Sequence, residues 1–293
     1  MSKHIVVFGK GAWGKSIGLL LEHNGITPTF VDIGDSPIRE IDVAFLVIPT
    51  QVLRSVLQTH KAFFSDKTII VNCAKGIEQE TLKFPFQIVE DVLSLNRYHT
   101  LAGPSFAEEV AEKQPTLVNI GFHNEDHTKE ITRCIETPVF RVEETAYGTS
   151  LELSGALKNV YAVVSGFSDG LGYGRNTRAA IQTIALKEFS ALAHALHFQY
   201  DTLALPGIIG DFVLTCSSEQ SRNYTFGKNA AHMSSDEALQ KSKGVAEGYY
   251  ASASIRTLSE KQSVPMPLAT ISAQIAEKGK EAGPIFRTFL ETL

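Results

Sequence analysis

Cysteine is scarce and scattered in this chain. Only three occur in 293 residues, Cys73, Cys134 and Cys216, far apart and without C-x-x-C spacing. That argues against a disulfide framework and against a zinc site, and no other metal-ligand set stands out. Buried small apolar residues are the plain reading of all three. Positive charge is also in short supply: 27 Lys and Arg face 32 Asp and Glu, a formal net charge of −5. No general attraction to nucleic acid or to an anionic membrane follows. A small anionic substrate would need a locally basic pocket. Long apolar runs are missing too. Ile5-Val6-Val7-Phe8 ends at Gly9, too short for a signal-peptide core, and no uncharged stretch approaches membrane-spanning length. The expectation is a soluble, cytoplasmic protein that neither inserts into membranes nor binds nucleic acid.

What is present is ordinary globular composition, 43% hydrophobic and 20% charged, at a length that suits two domains. There is no internal repeat and no low-complexity tract. The first half alternates short β-branched runs with helical patterns. Strands are predicted at Ile5–Phe8, Thr29–Ile33, Val43–Ile48, Thr68–Asn72, His99–Ala102, Thr116–Ile120 and Val139–Val142. Helices are predicted between them at Gly14–His23 and Val52–Phe63. The strands are apolar throughout, as in a sheet covered on both faces. The fold class expected is α/β: a doubly wound, Rossmann-type parallel sheet followed by an all-helical C-terminal domain. From about Ser150 the pattern is helical, over Leu151–Phe167, Thr177–Phe198, Ser235–Lys241, Gly244–Ser259 and Leu268–Glu277. Breaks fall near Gly170–Gly174, Pro206–Gly210 and Pro265–Pro267. The boundary is expected within Glu143–Thr149, giving a dinucleotide-binding domain over 1–146 and a substrate and catalytic domain over 147–293.

Gly9-Lys10-Gly11-Ala12-Trp13-Gly14 is a G-x-G-x-x-G that follows the first strand and opens the first helix. Gly9 permits the tight turn, Gly11 lets backbone approach a pyrophosphate, and Gly14 lets helix pack on strand. The helix N-terminus then offers free N–H groups to phosphate. Asp32 lies eighteen residues after Gly14, where an acidic side chain accepts hydrogen bonds from adenosine ribose hydroxyls. The same carboxylate repels a 2′-phosphate, so NAD is expected in preference to NADP.

Three further stretches carry chemistry. Lys158 sits among Leu, Ala and Val in the helix that begins near Leu151. Such a lysine ordinarily snorkels to solvent. Desolvated beside another cation, it would instead lose proton affinity and exchange protons near neutral pH, as reduction of a ketone requires. Lys75, in Ala74-Lys75-Gly76-Ile77, follows the fourth strand, where the ligand crevice of a doubly wound sheet lies. Gly103-Pro104-Ser105-Phe106-Ala107 follows the fifth strand. Ser105 there is either a helix N-cap or a substrate contact. Asp211, after Gly207 and Gly210, either binds a substrate hydroxyl or orients Lys158. Ser221-Arg222-Asn223 groups a hydroxyl, a guanidinium and an amide suited to an anion.

Together with Val47-Ile48-Pro49, Glu152–Val160, Gly174-Arg175-Asn176 and Glu247-Gly248, these stretches occur in an order that resembles the soluble NAD(P)-dependent glycerol-3-phosphate dehydrogenase family across nearly the whole chain. The resemblance implies reversible oxidation of sn-glycerol 3-phosphate to dihydroxyacetone phosphate, supplying glycerol 3-phosphate for phospholipid synthesis. It implies Lys158 as the general acid and base. It implies a substrate site lined by Lys75, Gly103, Ser105, Asp211, Ser221, Arg222 and Asn223. Cofactor contacts would come from Ala12, Trp13, Lys75, Ala107, Arg222, Val245 and Glu247, beside the turn glycines and Asp32. The partner expected is a small phosphorylated substrate, and the sequence leaves a homodimer open.

The chain also departs from that family. Gly34–Asp42 is short, Asp32-Ile33-Gly34 stands where the family often has an arginine, and Thr183-Ile184-Ala185-Leu186-Lys187-Glu188 replaces a Thr-Arg-Gly-Leu-x-Glu pattern. Two alternatives compete: another two-domain dehydrogenase of the β-hydroxyacid type, and a nucleotide sensor without catalysis. Ser221–Asn223 and Gly103–Ala107 speak against the first, and the lysine pair Lys75 and Lys158 against the second.

Overall fold

Short runs of Val, Ile and Phe form strands because branched and aromatic side chains pack well on a pleated surface. In a computed structural model describing residues 3–37, 39–242 and 246–292, seven such runs build one sheet. They are β1 (Ile5–Phe8), β2 (Thr29–Val31), β3 (Val43–Leu46), β4 (Ile69–Asn72), β5 (Tyr98–Ala102), β6 (Thr116–Phe122) and β7 (Phe140–Thr145). The order is β2-β1-β3-β4-β5-β6-β7. Every neighbouring pair is parallel except β5 with β6, which is antiparallel. That exception departs from the wholly parallel sheet expected. The link between β5 and β6 carries only the five-residue helix α4 (Ala107–Ala111), too little for the helical crossover that returns a chain to the same end of a sheet.

Side-chain alternation explains why the strands are apolar throughout. Ile5, Val7, Val43, Phe45, Ile69 and Val71 point to one face, where α1 (Ala12–His23) and α5 (Thr128–Ile135) cover them with Ile17, Leu21, Ile131 and Ile135. Val6, Phe8, Ala44, Leu46 and Ile70 point to the other, under Leu53 and Leu57 of α2 (Thr50–His60) and Ile88 and Val89 of α3 (Pro85–Leu93). Both faces are therefore dry, as a doubly wound sheet requires. The three cysteines are buried and unpaired.

The remaining helices are α6 (Gly148–Gly170), α7 (Arg175–Ala195), α8 (Asp211–Ser217), α9 (Arg222–Ala230), α10 (Ser235–Lys241), α11 (Glu247–Lys261), α12 (Pro267–Lys278) and α13 (Gly283–Leu290). No strand follows Thr145 among the described residues. The Pro206–Gly210 break is a π-helical turn leading directly into α8, and Pro267 takes the first turn of α12, where its missing N–H costs nothing. Among the described residues, no helix is long and apolar enough to cross a membrane. Contacts divide the chain into a sheet unit, through Glu78 with Lys83–Glu152 and Leu205–Ile208, and a helical unit of Gln79–Leu82, Leu153–Ala204 and Ile209 onward. The division falls inside α6, a few residues beyond the stretch expected from the sequence.

Helix α6 is buried without interruption from Leu151 to Ser168, polar and apolar positions alike, and the buried hydroxyls of Ser154, Ser165 and Ser168 make no hydrogen bond among the described residues. Within the helical unit its neighbours come unusually close. A Cβ on Gly166 would overlap the Tyr224 carbonyl of α9, and one on Gly227 of α9 would overlap the Val163 carbonyl. The two helices thus cross through a pair of facing glycines. Glu188 of α7 fastens the same region: its carboxylate accepts from Tyr161 Oη at 2.9 Å and from the Leu268 N–H at the start of α12 at 2.6 Å. Burial pushes this carboxyl up to about 7, against the pull of its donors. Gly227→Ala is expected to force α6 and α9 apart at a cost of about 1–3 kcal/mol, lowering the melting temperature by roughly 3–10 °C. A calorimetric scan checks this; an unchanged midpoint would show that the crossing has slack.

Candidate active site

The glycine turn is assembled by close packing. Gly9 leaves β1 at φ +105°, a value that disfavours any side chain, and its N–H donates to Val31 O at 2.8 Å. A Cβ on Gly9 would strike the Val47 carbonyl, and one on Gly14 would strike the carbonyl of Gly9. At Gly11 the situation reverses. It is the N-cap of α1, no side chain caps the helix there, and a Cβ would meet nothing within 4 Å. The free N–H groups of α1 therefore border an open cradle where backbone, not side chain, presents the donors. That is the fit a pyrophosphate needs. Ala12 is exposed, Trp13 packs partly buried against the sheet core, and Ser16 Oγ donates to the Ala107 carbonyl at 2.8 Å, joining α1 to α4.

Asp32 follows β2 directly and is exposed, with Oδ1 accepting from the Ile33 N–H at 2.9 Å. Lys10, inside the glycine turn, donates to Asp35 Oδ2 at 2.7 Å. Lys10 and Asp35 thus pair beside the glycine turn, with the Asp32 carboxylate three residues before Asp35.

The Lys75 turn is held at several points. Asn72, at the end of β4, accepts from the Ala74 N–H at 2.9 Å and donates to the Ala74 carbonyl at 3.1 Å. From α2, Thr50 Oγ1 donates to Lys75 O at 3.1 Å and Gln51 Nε2 donates to Ile77 O at 2.8 Å. Lys75 itself is half-buried. Behind Asn72 stands Glu152, 3% exposed. Its Oε1 accepts from Asn72 Nδ2 at 3.0 Å and from Tyr98 Oη, and its Oε2 from the Phe86 N–H at 3.2 Å. Burial pushes the Glu152 carboxyl up to about 7, while Tyr98, Phe86 and Asn72 pull it down. Near the end of β5, Gly103 packs against Val118, where a Cβ would lie 2.7 Å from its Cα. Ser105 Oγ donates to Gly103 O at 3.1 Å, and Phe106 rather than Ser105 occupies the N-cap of α4.

In the helical unit, Lys158 does not snorkel. It is 5% exposed and donates to Asp211 Oδ1, a carboxylate that is 1% exposed. Thr215 Oγ1, one turn along α8, lies 3.4 Å from the same oxygen. A carboxylate thus secures the ammonium inside the apolar helix, in line with Asp211 as the residue that orients Lys158. Ser221 and Asn223 are buried and internally engaged. Ser221 Oγ caps α9 by accepting from the Tyr224 N–H at 3.3 Å. Asn223 Nδ2 donates to Asn159 Oδ1 at 2.9 Å, and Asn223 Oδ1 accepts from the Gly248 N–H at 2.9 Å. Asn159 Nδ2 donates in turn to Glu247 Oε2 at 3.0 Å. Arg222, between them, is exposed. Asn159 was not among the residues singled out from sequence, although it follows Lys158 directly. It joins Asn223 to Glu247. Val245 lies outside the described residues.

Family models and curated relatives point to one family. Residues 148–287 match the NAD-dependent glycerol-3-phosphate dehydrogenase C-terminus, and residues 32–128 match the N-terminus of the same family. A glycerol-3-phosphate dehydrogenase [NAD(P)+] of Fusobacterium nucleatum is 33% identical, with 90% of this chain and 89% of that protein covered. One from Bifidobacterium longum subsp. infantis is 31% identical, with 95% of each covered. The crystal structure of glycerol-3-phosphate dehydrogenase from Coxiella burnetii, 26% identical, superposes with a TM-score of 0.90 over 99% of each chain. With two family matches that together take in most of both units, the chain belongs to the NAD-dependent glycerol-3-phosphate dehydrogenases.

Proposed function

We propose that this protein interconverts sn-glycerol 3-phosphate and dihydroxyacetone phosphate with NAD(H) or NADP(H), in the cytoplasm, and so supplies glycerol 3-phosphate for phospholipid synthesis. The observation that carries the chemistry is the buried Lys158–Asp211 pair, within the stretch that matches the family's C-terminus. A nicotinamide, when bound, supplies or takes up the hydride. Lys158 gives its proton to the substrate's C2 oxygen in reduction and removes it in oxidation. Asp211 keeps the ammonium aimed and drives its reprotonation, because a neutral amine leaves the buried carboxylate without its partner. Of the two roles open to Asp211, its bond to Lys158 supports the one in which it orients the lysine.

Arg222 is the exposed member of its trio and the one available to a phosphate, whereas Ser221 and Asn223 brace the start of α9. Lys75, Gly103 and Ser105 are the substrate contacts read on the sheet unit. The uncapped cradle at Gly9, Gly11 and Gly14, with Ala12, Trp13 and Ala107, holds the cofactor's phosphates, and Glu247 contacts the cofactor from α11. The sensor reading and the β-hydroxyacid reading gain no support from any of these comparisons.

Dihydroxyacetone phosphate added to protein and NADH is expected to lower the NADH absorbance. Lys158→Ala should slow that turnover by about 10²–10⁴-fold while NADH affinity stays nearly constant. Near-normal turnover in the variant would remove Lys158 from the chemistry.

Cofactor choice follows from charge at the adenosine end. Lys10 could attract a 2′-phosphate, but it is engaged by Asp35, and Asp32 adds a second carboxylate. One positive and two negative charges leave the locus negative. Asp32 accepts from a ribose hydroxyl and repels a phosphate dianion. NADH is therefore expected to outperform NADPH in kcat/KM by about tenfold or more, about 1.4 kcal/mol. The ratio at fixed dihydroxyacetone phosphate checks this, and equal values would show that Asp32 does not read the ribose.

A further inference from the structure

The Lys75 turn is fastened from two directions, and one of them reaches a residue with no assigned part in the reaction. On the side of α2, Thr50 takes the Lys75 carbonyl and Gln51 the Ile77 carbonyl. On the side of the sheet, Asn72 brackets Ala74 with both atoms of its amide, so its orientation sets the backbone immediately before Lys75. An asparagine amide can present either end. Ala74 and Glu152 fix this one together: the Ala74 N–H donates to Oδ1, and Glu152 Oε1 accepts from Nδ2 on the other side. Glu152 is itself immobilised by the Phe86 N–H and the Tyr98 hydroxyl. Every group identified on its two oxygens is a donor, which is the arrangement only a carboxylate can satisfy in full.

We propose that Glu152 is a positioning residue, acting through Asn72 to hold the Lys75 turn in its working geometry. The proposal rests on the reading of Lys75 as a substrate and cofactor contact. Glu152 touches neither ligand in this scheme. Its position at the head of α6 is not the point; its two acceptor atoms are. In Glu152→Gln the side-chain shape is kept, but one end becomes a donor. That end must face either the Phe86 N–H or the Asn72 NH2 group. If it faces Asn72, the asparagine amide turns over and the Ala74 N–H loses its acceptor.

The test is a double-mutant cycle between position 152 and position 75. Full-length protein is used, with kcat and KM for dihydroxyacetone phosphate, NADH dissociation constants by fluorescence titration, and melting temperature as readouts. Glu152→Gln is expected to lower kcat/KM by about ten- to a hundredfold, chiefly through KM, and to weaken NADH binding in parallel. In the Lys75→Ala background the same change should cost less than about threefold, because the residue it positions is gone. Asn72→Ala breaks the link in the middle and leaves Glu152 its Phe86 and Tyr98 donors; it is expected to show the same coupling. It carries the test if Glu152→Gln gives no cooperative melting transition. A cost that is undiminished in the Lys75→Ala background, where Lys75→Ala is itself impaired, overturns the positioning role and leaves the reading of Lys75 intact. Near-wild-type kcat/KM and NADH binding in Lys75→Ala overturns that reading, and the positioning role with it.

Discussion

A charge buried without a partner costs several kcal/mol, and helix α6 places one where water cannot reach it. Lys158 lies within an unbroken buried run from Leu151 to Ser168, too deep for its four methylenes to carry the ammonium to the surface. The helical unit answers with Asp211, at the first turn of α8, itself almost wholly buried. The π-helical turn Pro206–Gly210 leads into α8 at that point, so an irregular segment sets the register of the carboxylate. Neither residue could be kept without the other. Removing the lysine strands a carboxylate, and removing the aspartate strands an ammonium. Such mutual dependence makes the pair costly as scaffolding but well suited to chemistry in which a proton leaves and returns.

Elsewhere the protein uses carboxylates as fasteners. Glu152 gathers donors from β4, β5 and the start of α3 in the sheet unit; Glu188 gathers them from α6 and the start of α12 in the helical unit. In both, burial and hydrogen bonding oppose each other, and both settle near about 7. Each acceptor ties several elements at once, which a single apolar contact cannot do. The difference lies in what stands at the other end. Glu188 meets a tyrosine and bare helix N–H groups. Glu152 meets an asparagine whose second contact is the turn that carries Lys75.

The sheet was legible because burial on both faces writes itself into every strand: Ile5-Val6-Val7-Phe8 leaves no polar position for solvent. The antiparallel β6 was not, since its composition is the same whichever way it runs. Lys158 and Asp211 each attracted notice from local context, but 53 residues separate them, and no local pattern announces that a carboxylate will meet an ammonium. Ser221 shows the reverse difficulty. A hydroxyl beside an arginine suggested an anion contact, and its bond to the Tyr224 N–H shows a second use, a helix cap, that the same letters encode. Asn159 and Glu152 sat inside the recognised motif without a role, because their partners, Asn223 with Glu247 and Asn72 with Tyr98, are supplied by the fold.

Helix caps offer a last comparison. Ser221 and Ser234 cap α9 and α10, and Glu188 serves α12 from a distance. Helix α1 has no such side chain at Gly11. A bare N-terminus is not in itself a binding site; α5 also begins without a side-chain cap. What distinguishes α1 is the combination. Gly9 and Gly14 are packed so tightly that neither tolerates a methyl group, while Gly11, between them, faces open space. Tight packing on two sides with emptiness on the third is uneconomical for a turn that only joins a strand to a helix, because a side chain at Gly11 would both cap the helix and stiffen the loop. It becomes intelligible when the missing cap is a phosphate, whose charge also complements the helix dipole. The open side of Gly11 is thus as specific a feature of the sheet unit as the buried ion pair at Lys158 is of the helical unit.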